Sequence, residues 1–386
     1  MKKAKSKSLR FTRVAIENWR NFAHIDVGLE RRVILFGPNA SGKSNFLDIF
    51  RFLRDIASVG GGFQEAVRKR GGVSSLRCLA ARRYSDIVIH LHLGGTENPN
   101  IWQYELHFNQ DTQRIPYIKK EKVSRGEEII LNRPDKQDHG DEARLTQTHL
   151  EQVYANQEFR DIAGFFSSVH YYHLVPQLVR DPERSVGRKN DPYGGDFLEK
   201  IANTPENTRN ARLRRIIEGL KVAVPQLKEL KLWRDPRGLW HLRGRYEHWR
   251  PRGAWQTEDQ FSDGTLRLMG LLWAALEGGG PLLLEEPELS LHPEVVRHIP
   301  ETFHRIQRRS GRQIIMSTQS SELLEGEGIG LDEVLMLRPD AEGTSVEPLS
   351  DQENVKPLLD SGLNLAEVVI PYTRPANVEQ LSLFAD

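Results

Sequence analysis

Val33-Ile34-Leu35-Phe36, followed by Gly37-Pro38-Asn39-Ala40-Ser41-Gly42-Lys43-Ser44, decides how this 386-residue chain folds. The apolar tetrapeptide reads as a strand, residues 44–56 read as a helix, and the glycine-bearing loop joins the two. Such a junction wraps backbone N–H groups around phosphates and adds the field of a helix N-terminus. Within it, Lys43 offers a positive point charge to the β and γ phosphates of ATP, and Ser44 offers a hydroxyl to Mg²⁺.

Downstream, Pro281-Leu282-Leu283-Leu284-Glu285-Glu286-Pro287-Glu288 is an apolar strand that delivers carboxylates at its end. Beside a phosphate loop, one such carboxylate holds Mg²⁺ through water and its neighbour polarises the attacking water. Glu285 takes the first role and Glu286 the second. Just ahead, Phe261-Ser262-Asp263-Gly264-Thr265 opens a helix over residues 265–276 and exposes N–H groups and a hydroxyl at its start. Alone this would be an N-cap; its place one helix before the acidic strand gives it a second meaning. A helix over 293–308 and a strand over 313–317 complete a β-α-β order. Strands are also predicted at 11–16, 87–93, 102–108 and 169–175, hairpins at 118–131 and 230–246, and helices at 151–166 and 197–223. No internal repeat is present.

In this order the motifs resemble the ABC-type ATPase superfamily, and within it the RecF, SMC and Old-type group of DNA-associated ATPases, AAA_21-like proteins included. The likeness rests on Glu17-Asn18-Trp19-Arg20-Asn21-Phe22 ahead of the loop, and on Asn39 and Asn45 in and after it. It rests equally on Ser262-Asp263-Gly264-Thr265-Leu266-Arg267 as signature, Glu286-Pro287-Glu288-Leu289-Ser290-Leu291-His292-Pro293 as Walker B with its D-loop, and Ser317-Thr318-Gln319-Ser320 as switch. It implies an α/β fold: an ABC-type P-loop NTPase head with a mixed strand/helix insertion between Walker A and signature. It also implies an ATP-dependent homodimer, with the signature Ser262, Asp263, Gly264 and Thr265 offered in trans toward the γ-phosphate bound by Lys43 of the other subunit. Two positions depart from the pattern. Glu285-Glu286 stands where Asp-Glu is usual, which keeps the charge and adds a methylene. Gln319 stands where the switch His is usual; it can hydrogen-bond a phosphate or place water but cannot take a proton. Glu286 and Gln319 are then the catalytic pair and Ser44 and Glu285 the metal pair, with Arg20 and Gln177 as further candidates, Gln177 for the Q-loop.

The head divides into residues 1–135 with Walker A, 136–255 as an insertion or helical lobe, 256–345 with signature, Walker B and switch, and 346–386 as extension and tail. The balance of 54 Lys+Arg against 53 Asp+Glu excludes a basic nucleic-acid coat. Cys78 is the only cysteine, so no intrachain disulfide or cysteine zinc cage forms, and no apolar run reaches the ~20 residues of a membrane span. A cytoplasmic protein without a membrane partner is the reading. Arg209, Arg212, Arg214 and Arg215 lie on one predicted helix, as a solvated face or a DNA contact. The end, Gln380-Leu381-Ser382-Leu383-Phe384, resembles the short motif that docks on the bacterial DNA sliding clamp; the alternative is a tail packed on its own domain.

The function expected is an ATPase, using ATP and Mg²⁺, in DNA metabolism or anti-phage defence beside a separately encoded effector nuclease or Toprim-type partner. The stretch after Gln319 is too short for a Toprim domain of its own. Two alternatives stay open: a slowly or non-hydrolysing nucleotide-gated scaffold that regulates a toxin, which Gln319 favours, and a transporter ATPase subunit, which the N-terminal motif disfavours.

Overall fold

Val33 and Leu35 point into one hydrophobic core while Ile34 and Phe36 point into another. The computed structural model, which describes residues 9–80, 85–187, 191–248 and 254–373, builds both cores around one six-stranded sheet. Its order is Gly343–Pro348, Val334–Asp340, Arg32–Phe36, Ile314–Thr318, Leu282–Glu285, His170–Tyr172. The last five run parallel and the first is antiparallel to its neighbour. Arg32–Phe36 and Ile314–Thr318 are buried at every position, as strands covered on both faces must be, which is why residues 33–36 and 314–316 read as unbroken apolar runs.

A second six-stranded sheet, wholly antiparallel, runs Phe22–Gly28, Arg10–Trp19, Ile87–Gly94, Trp102–Gln110, Pro116–Arg125, Glu128–Arg133. Buried and half-buried residues alternate along Ile87–Gly94 and Trp102–Gln110, the mark of a sheet packed on one face. Between the two sheets lies the helix Lys43–Ala57, with Phe46, Phe50 and Phe52 buried against both. Phe11 of the antiparallel sheet meets Phe50 at 4.5 Å between ring centroids, and Trp19 meets Phe52 at 5.3 Å. Buried Gln313 clasps the sheets together: its Oε1 accepts from Phe11 N at 2.9 Å and its Nε2 donates to the carbonyls of Phe11 and Glu30. Each such bond contributes about 1 kcal/mol, and truncating the side chain would leave buried Phe11 N without a partner, which costs more.

On the other face of the parallel sheet, helices Asp263–Glu277 and Ile299–Ser310 fill the second core. Beside them, helix Glu206–Leu220 carries a three-stranded antiparallel sheet, Ala254–Gln256, Trp240–Tyr246, Leu227–Arg234.

Several elements differ from the sequence reading. Arg10–Trp19 turns directly into a strand, Phe22–Gly28, that the reading left out. The helix expected over 151–166 is confined to Arg160–Ser167; ahead of it Val153 and Tyr154 are exposed and have no core to pack on. That expected over 197–223 is two helices, Phe197–Asn203 and Glu206–Leu220, split at Pro205, where proline lacks the donor a continuous helix needs. The helix over 293–308 is likewise Pro293–Arg297 and Ile299–Ser310. Residues 371–373 close the helix Leu365–Thr373, whose Val368 and Val369 are buried. The clamp-like motif Gln380, Leu381, Leu383 and Phe384 lies outside the described residues. Among those residues no helix is long and apolar enough to cross a membrane.

Candidate nucleotide site

The parallel register aligns Leu35, Ser317 and Glu285 across three neighbouring strands, so their C-terminal ends open on one crevice. In open α/β sheets such a crevice is where ligands sit. Phe36 leads into the loop 37–42, Thr318 into Gln319, Glu285 into Glu286 and Tyr172 into His173.

Gly42 is the N-cap of the helix Lys43–Ala57 at φ 93°, a left-handed conformation that favours glycine. A Cβ there would meet the Asn21 amide at 2.1 Å, and one on Gly37 would meet the Leu337 carbonyl at 2.7 Å. The loop is therefore tight against its surroundings at both ends. Asn21 holds it: Nδ2 donates to the Ser41 carbonyl at 3.0 Å and to Thr344 Oγ1 at 2.7 Å, while Oδ1 accepts from Asn45 Nδ2 at 2.8 Å. Trp19 Nε1 donates to the Asn45 carbonyl at 3.0 Å. The N-terminal motif is thus a brace for the loop.

Buried Lys43 donates from Nζ to the carbonyls of Gly37 and Pro38, both at 2.8 Å. Burial lowers its pKa, and the charges of Glu286, Glu288 and Glu285 act the other way. Ser44 Oγ donates to Glu285 Oε1, and the Tyr171 hydroxyl donates to Glu285 Oε2. His173 Nδ1 lies 3.2 Å from the Glu285 carbonyl oxygen, and the Arg51 guanidinium sits 4.0 Å over the Tyr171 ring. Burial, then the Glu285 charge, pushes the Tyr171 phenol up, so it stays a donor.

Glu286 turns off the strand in the left-handed region at φ 43°, its N–H donating to the Ser317 carbonyl at 3.0 Å. A non-glycine residue is strained there, and the turn swings this carboxylate out of line with Glu285. Glu288 is buried; its Oε1 accepts from Thr318 Oγ1 at 2.6 Å, and desolvation raises its pKa. Gln319 is exposed at the mouth.

Ser262 caps the helix Asp263–Glu277 by accepting from Thr265 N at 3.2 Å. Gly264 is pressed on the D-loop: a Cβ there would lie 2.5 Å from the Ser290 carbonyl. Among the described residues no hydrogen bond or ion pair joins 262–265 to 37–45. Asp263 is instead bound by Arg180 at 2.6 Å and by Gln177 Nε2 at 3.4 Å. The structure therefore sets Gln177 beside the signature. Arg20 donates to the Ser75 carbonyl and lies 3.7 Å from Asp48, a brace like Asn21 on a different segment. On the basic helix, Arg212 donates to the Glu277 carbonyl and covers Trp273, and Arg209 donates to Ala202, whereas Arg214 and Arg215 are exposed.

A family model described as AAA_21, "AAA domain, putative AbiEii toxin, Type IV TA system", matches residues 32–325. The chain belongs to this family. The AAA_21 chain also shares its fold with solved SMC heads. An SMC head bound to the C-winged helix domain of ScpA superposes with a TM-score of 0.54 at 12% identity, over 90% of this chain and 99% of that one. An Smc head with an extended coiled coil, bound to the C-terminal domain of ScpA derived from Pyrococcus furiosus, gives 0.52 at 11% identity over 92% and 100%. Family and fold together make this an ABC-type ATPase head of the RecF, SMC and Old-like group. Endonuclease GajA of Bacillus cereus (strain VD045) is 40% identical over 47 residues, 12% of this chain and 8% of that protein. This AAA_21 chain thus matches only a small part of that nuclease.

The donor set fits a magnesium nucleotide. Hydroxyl and carboxylate oxygens, Ser44 Oγ and Glu285 Oε1, face each other where a hard divalent cation would be held. The glycine loop, with Lys43 at its base, has no room for a Cβ at Gly37 or Gly42, and its backbone N–H groups at the start of the helix suit phosphate oxygens. Tyr171, Thr344 and His173 escaped the sequence reading, because only the folded register brings them to the site.

Proposed function

We propose that this chain binds and hydrolyses ATP as an ATP-dependent homodimer, acting in DNA metabolism or anti-phage defence with a separately encoded effector. The carrying observation is the pairing of Ser44 with Glu285 across the crevice, with Glu286 turned aside next to it. Lys43 and the N–H groups of the loop would bind the phosphates, while Ser44 and Glu285 would hold Mg²⁺, which supplies charge neutralisation at the β and γ oxygens. Glu286 is free of the Ser44 and Tyr171 bonds that occupy Glu285, so it can accept a hydrogen bond from the attacking water and orient it. Gln319, exposed at the crevice mouth, would steady the γ-phosphate or that water without moving a proton.

Dimerisation is supported by the signature's separation from the loop of its own chain. Ser262, Gly264 and Thr265 line an open groove with Ser290 and His292, on which a second loop would be received. The group it belongs to and the short GajA likeness support a nuclease or Toprim-type partner and a cytoplasmic setting. Gln319 favours one second reading, a nucleotide-gated scaffold of very low turnover.

Single-turnover phosphate release, with light scattering for mass, tests the proposal. Glu286→Gln should abolish release yet retain ATP and accumulate a dimer. A wild-type protein that releases no phosphate, with or without DNA, would leave the scaffold reading standing.

A further inference from the structure

Trp233 and Trp255 are the half-exposed indoles of the three-stranded sheet, 38% and 37% accessible, and both lie on its outer face. The register puts them there: Trp233 pairs with His241, Lys231 with Arg243, Glu229 with Arg245, and Arg245 with Trp255. The opposite face carries Leu230 and Leu242, both buried in the second core. Arg243 lies between the indoles, its guanidinium 4.9 Å from the Trp233 ring centre and 5.4 Å from that of Trp255, and Lys231 stands 5.5 Å from Trp255.

Charge on this face is unbalanced. Glu229 pairs with both Lys231 and Arg245, and His241 is bound by Glu258 and Asp235. Arg243 has no carboxylate partner among the described residues. Along the edge strand an open groove continues to helix Glu206–Leu220, lined by Lys228, Lys231, Arg214 and Arg215 with Glu218 and Glu229. Glu218 is paired with Lys221 and Lys228 with Glu247, which leaves Arg214 and Arg215 beside the sheet without a carboxylate partner among the described residues.

We infer that this sheet face binds single-stranded DNA, with bases stacking on Trp233 and Trp255 and phosphates meeting Arg243, Arg214 and Arg215. Unpaired bases present flat π surfaces to the indoles, and the backbone supplies the anions that the free guanidinium groups lack. A duplex hides its base faces. The excess of cations, with Arg243, Arg214 and Arg215 lacking carboxylate partners among the described residues, suits a polyanion. The inference names the DNA contact of the function proposed above and rests on that reading, but it uses no residue of the nucleotide site.

Fluorescence anisotropy with a labelled oligothymidylate of roughly 15 nucleotides, without nucleotide and at low salt, tests it. Trp233→Ala and Trp255→Ala should each weaken binding roughly tenfold, and Trp233→Phe should restore most of it. Arg243→Glu should weaken binding and flatten its dependence on salt. Unchanged melting temperatures and unchanged affinity for a fluorescent ATP analogue show that the variants are folded, and keep this test separate from that of ATP hydrolysis. No binding by the wild type, equal binding by all three loss variants, or preference for duplex DNA, RNA or a protein partner would overturn the inference.

Discussion

The Tyr171 hydroxyl donates to the same Glu285 carboxylate that Ser44 reaches from the phosphate loop. Tyr171 pairs with Leu283 and so shares a sheet face with Glu285, facing the helix Lys43–Ala57. The phenol holds one carboxylate oxygen and leaves the other aimed at Ser44. Tyr171→Phe removes that restraint without changing ring packing. Outer-sphere partners of this kind govern metal affinity by about tenfold or more. The Mg²⁺ concentration giving half-maximal ATPase should rise by that factor, with the melting temperature little altered; an unchanged Mg²⁺ dependence would remove Tyr171 from the metal site.

How far that arrangement could be read in advance differs by residue. Residues 33–45, 261–266 and 281–288 carry their structure locally, in an apolar run, a glycine loop, an N-cap and a strand end, so sequence was enough to place them. Tyr171 carries no such sign. It reaches Glu285 only because His170–Tyr172 pairs in parallel with Leu282–Glu285, more than a hundred positions later in the chain. Thr344 is the same case. The hairpin of Val334–Asp340 and Gly343–Pro348, absent from the sequence reading, brings it to Asn21. Non-local register, not local propensity, wrote the missing half of the site.

The brace between Asn21 and Gly42 predicts a non-additive pair. Gly42→Ala would thrust its Cβ into the Asn21 amide and hold alanine at φ 93°, costing both stability and ATP affinity. Asn21→Ala alone leaves the Ser41 carbonyl and the Asn45 amide without their partner, at about 1–3 kcal/mol. In the double variant the clash is gone and the strained φ remains, so the combined loss should be smaller than the sum. Thermal melts of the four proteins measure this; strict additivity would mean that the contact is not felt.

Gly264 predicts a separation of binding from assembly. A methyl group there would strike the Ser290 carbonyl, pushing the signature off the D-loop while leaving residues 37–45 untouched. Gly264→Ala should bind a fluorescent ATP analogue as wild type does but fail to form a dimer with ATP in the Glu286→Gln background. Light scattering reads the mass. A Gly264→Ala protein that still dimerises would argue against the signature acting across subunits.

Histidines predict one component of acid sensitivity. Burial, then the Arg133 charge, with Arg144 also lowering and Asp138 opposing, brings His149 down to about 4; burial, with His90 and Arg13, brings His92 to about 4. Between the ordinary His value near 6.5 and about 4, the unfolded chain binds protons that the folded chain does not, so stability supplied by the neutral rings is lost as pH falls through that window. Glu121 and Glu288, whose pKa values burial raises, act with the opposite sign. The measure is therefore a difference. His149→Gln should gain stability relative to wild type as pH drops from 6.5 to 4, and show no such relative gain between pH 7 and 8.

Gln319 predicts a modest and pH-independent contribution to turnover. It follows the buried strand Ile314–Thr318 and is itself exposed, while the neighbouring Thr318 is tied to Glu288, so strand and acid are fixed and the amide alone is free to reach a phosphate. An amide contributes a hydrogen bond of about 1 kcal/mol and no proton transfer. Gln319→Ala should therefore lower single-turnover phosphate release by only about tenfold, far less than Glu286→Gln. Gln319→His supplies a group that titrates near 6.5. Its rate should equal or exceed that of wild type at pH 8 and fall on an added acid limb as the ring protonates, a limb that wild type lacks. If the two pH profiles coincide, residue 319 does not touch the reacting phosphate.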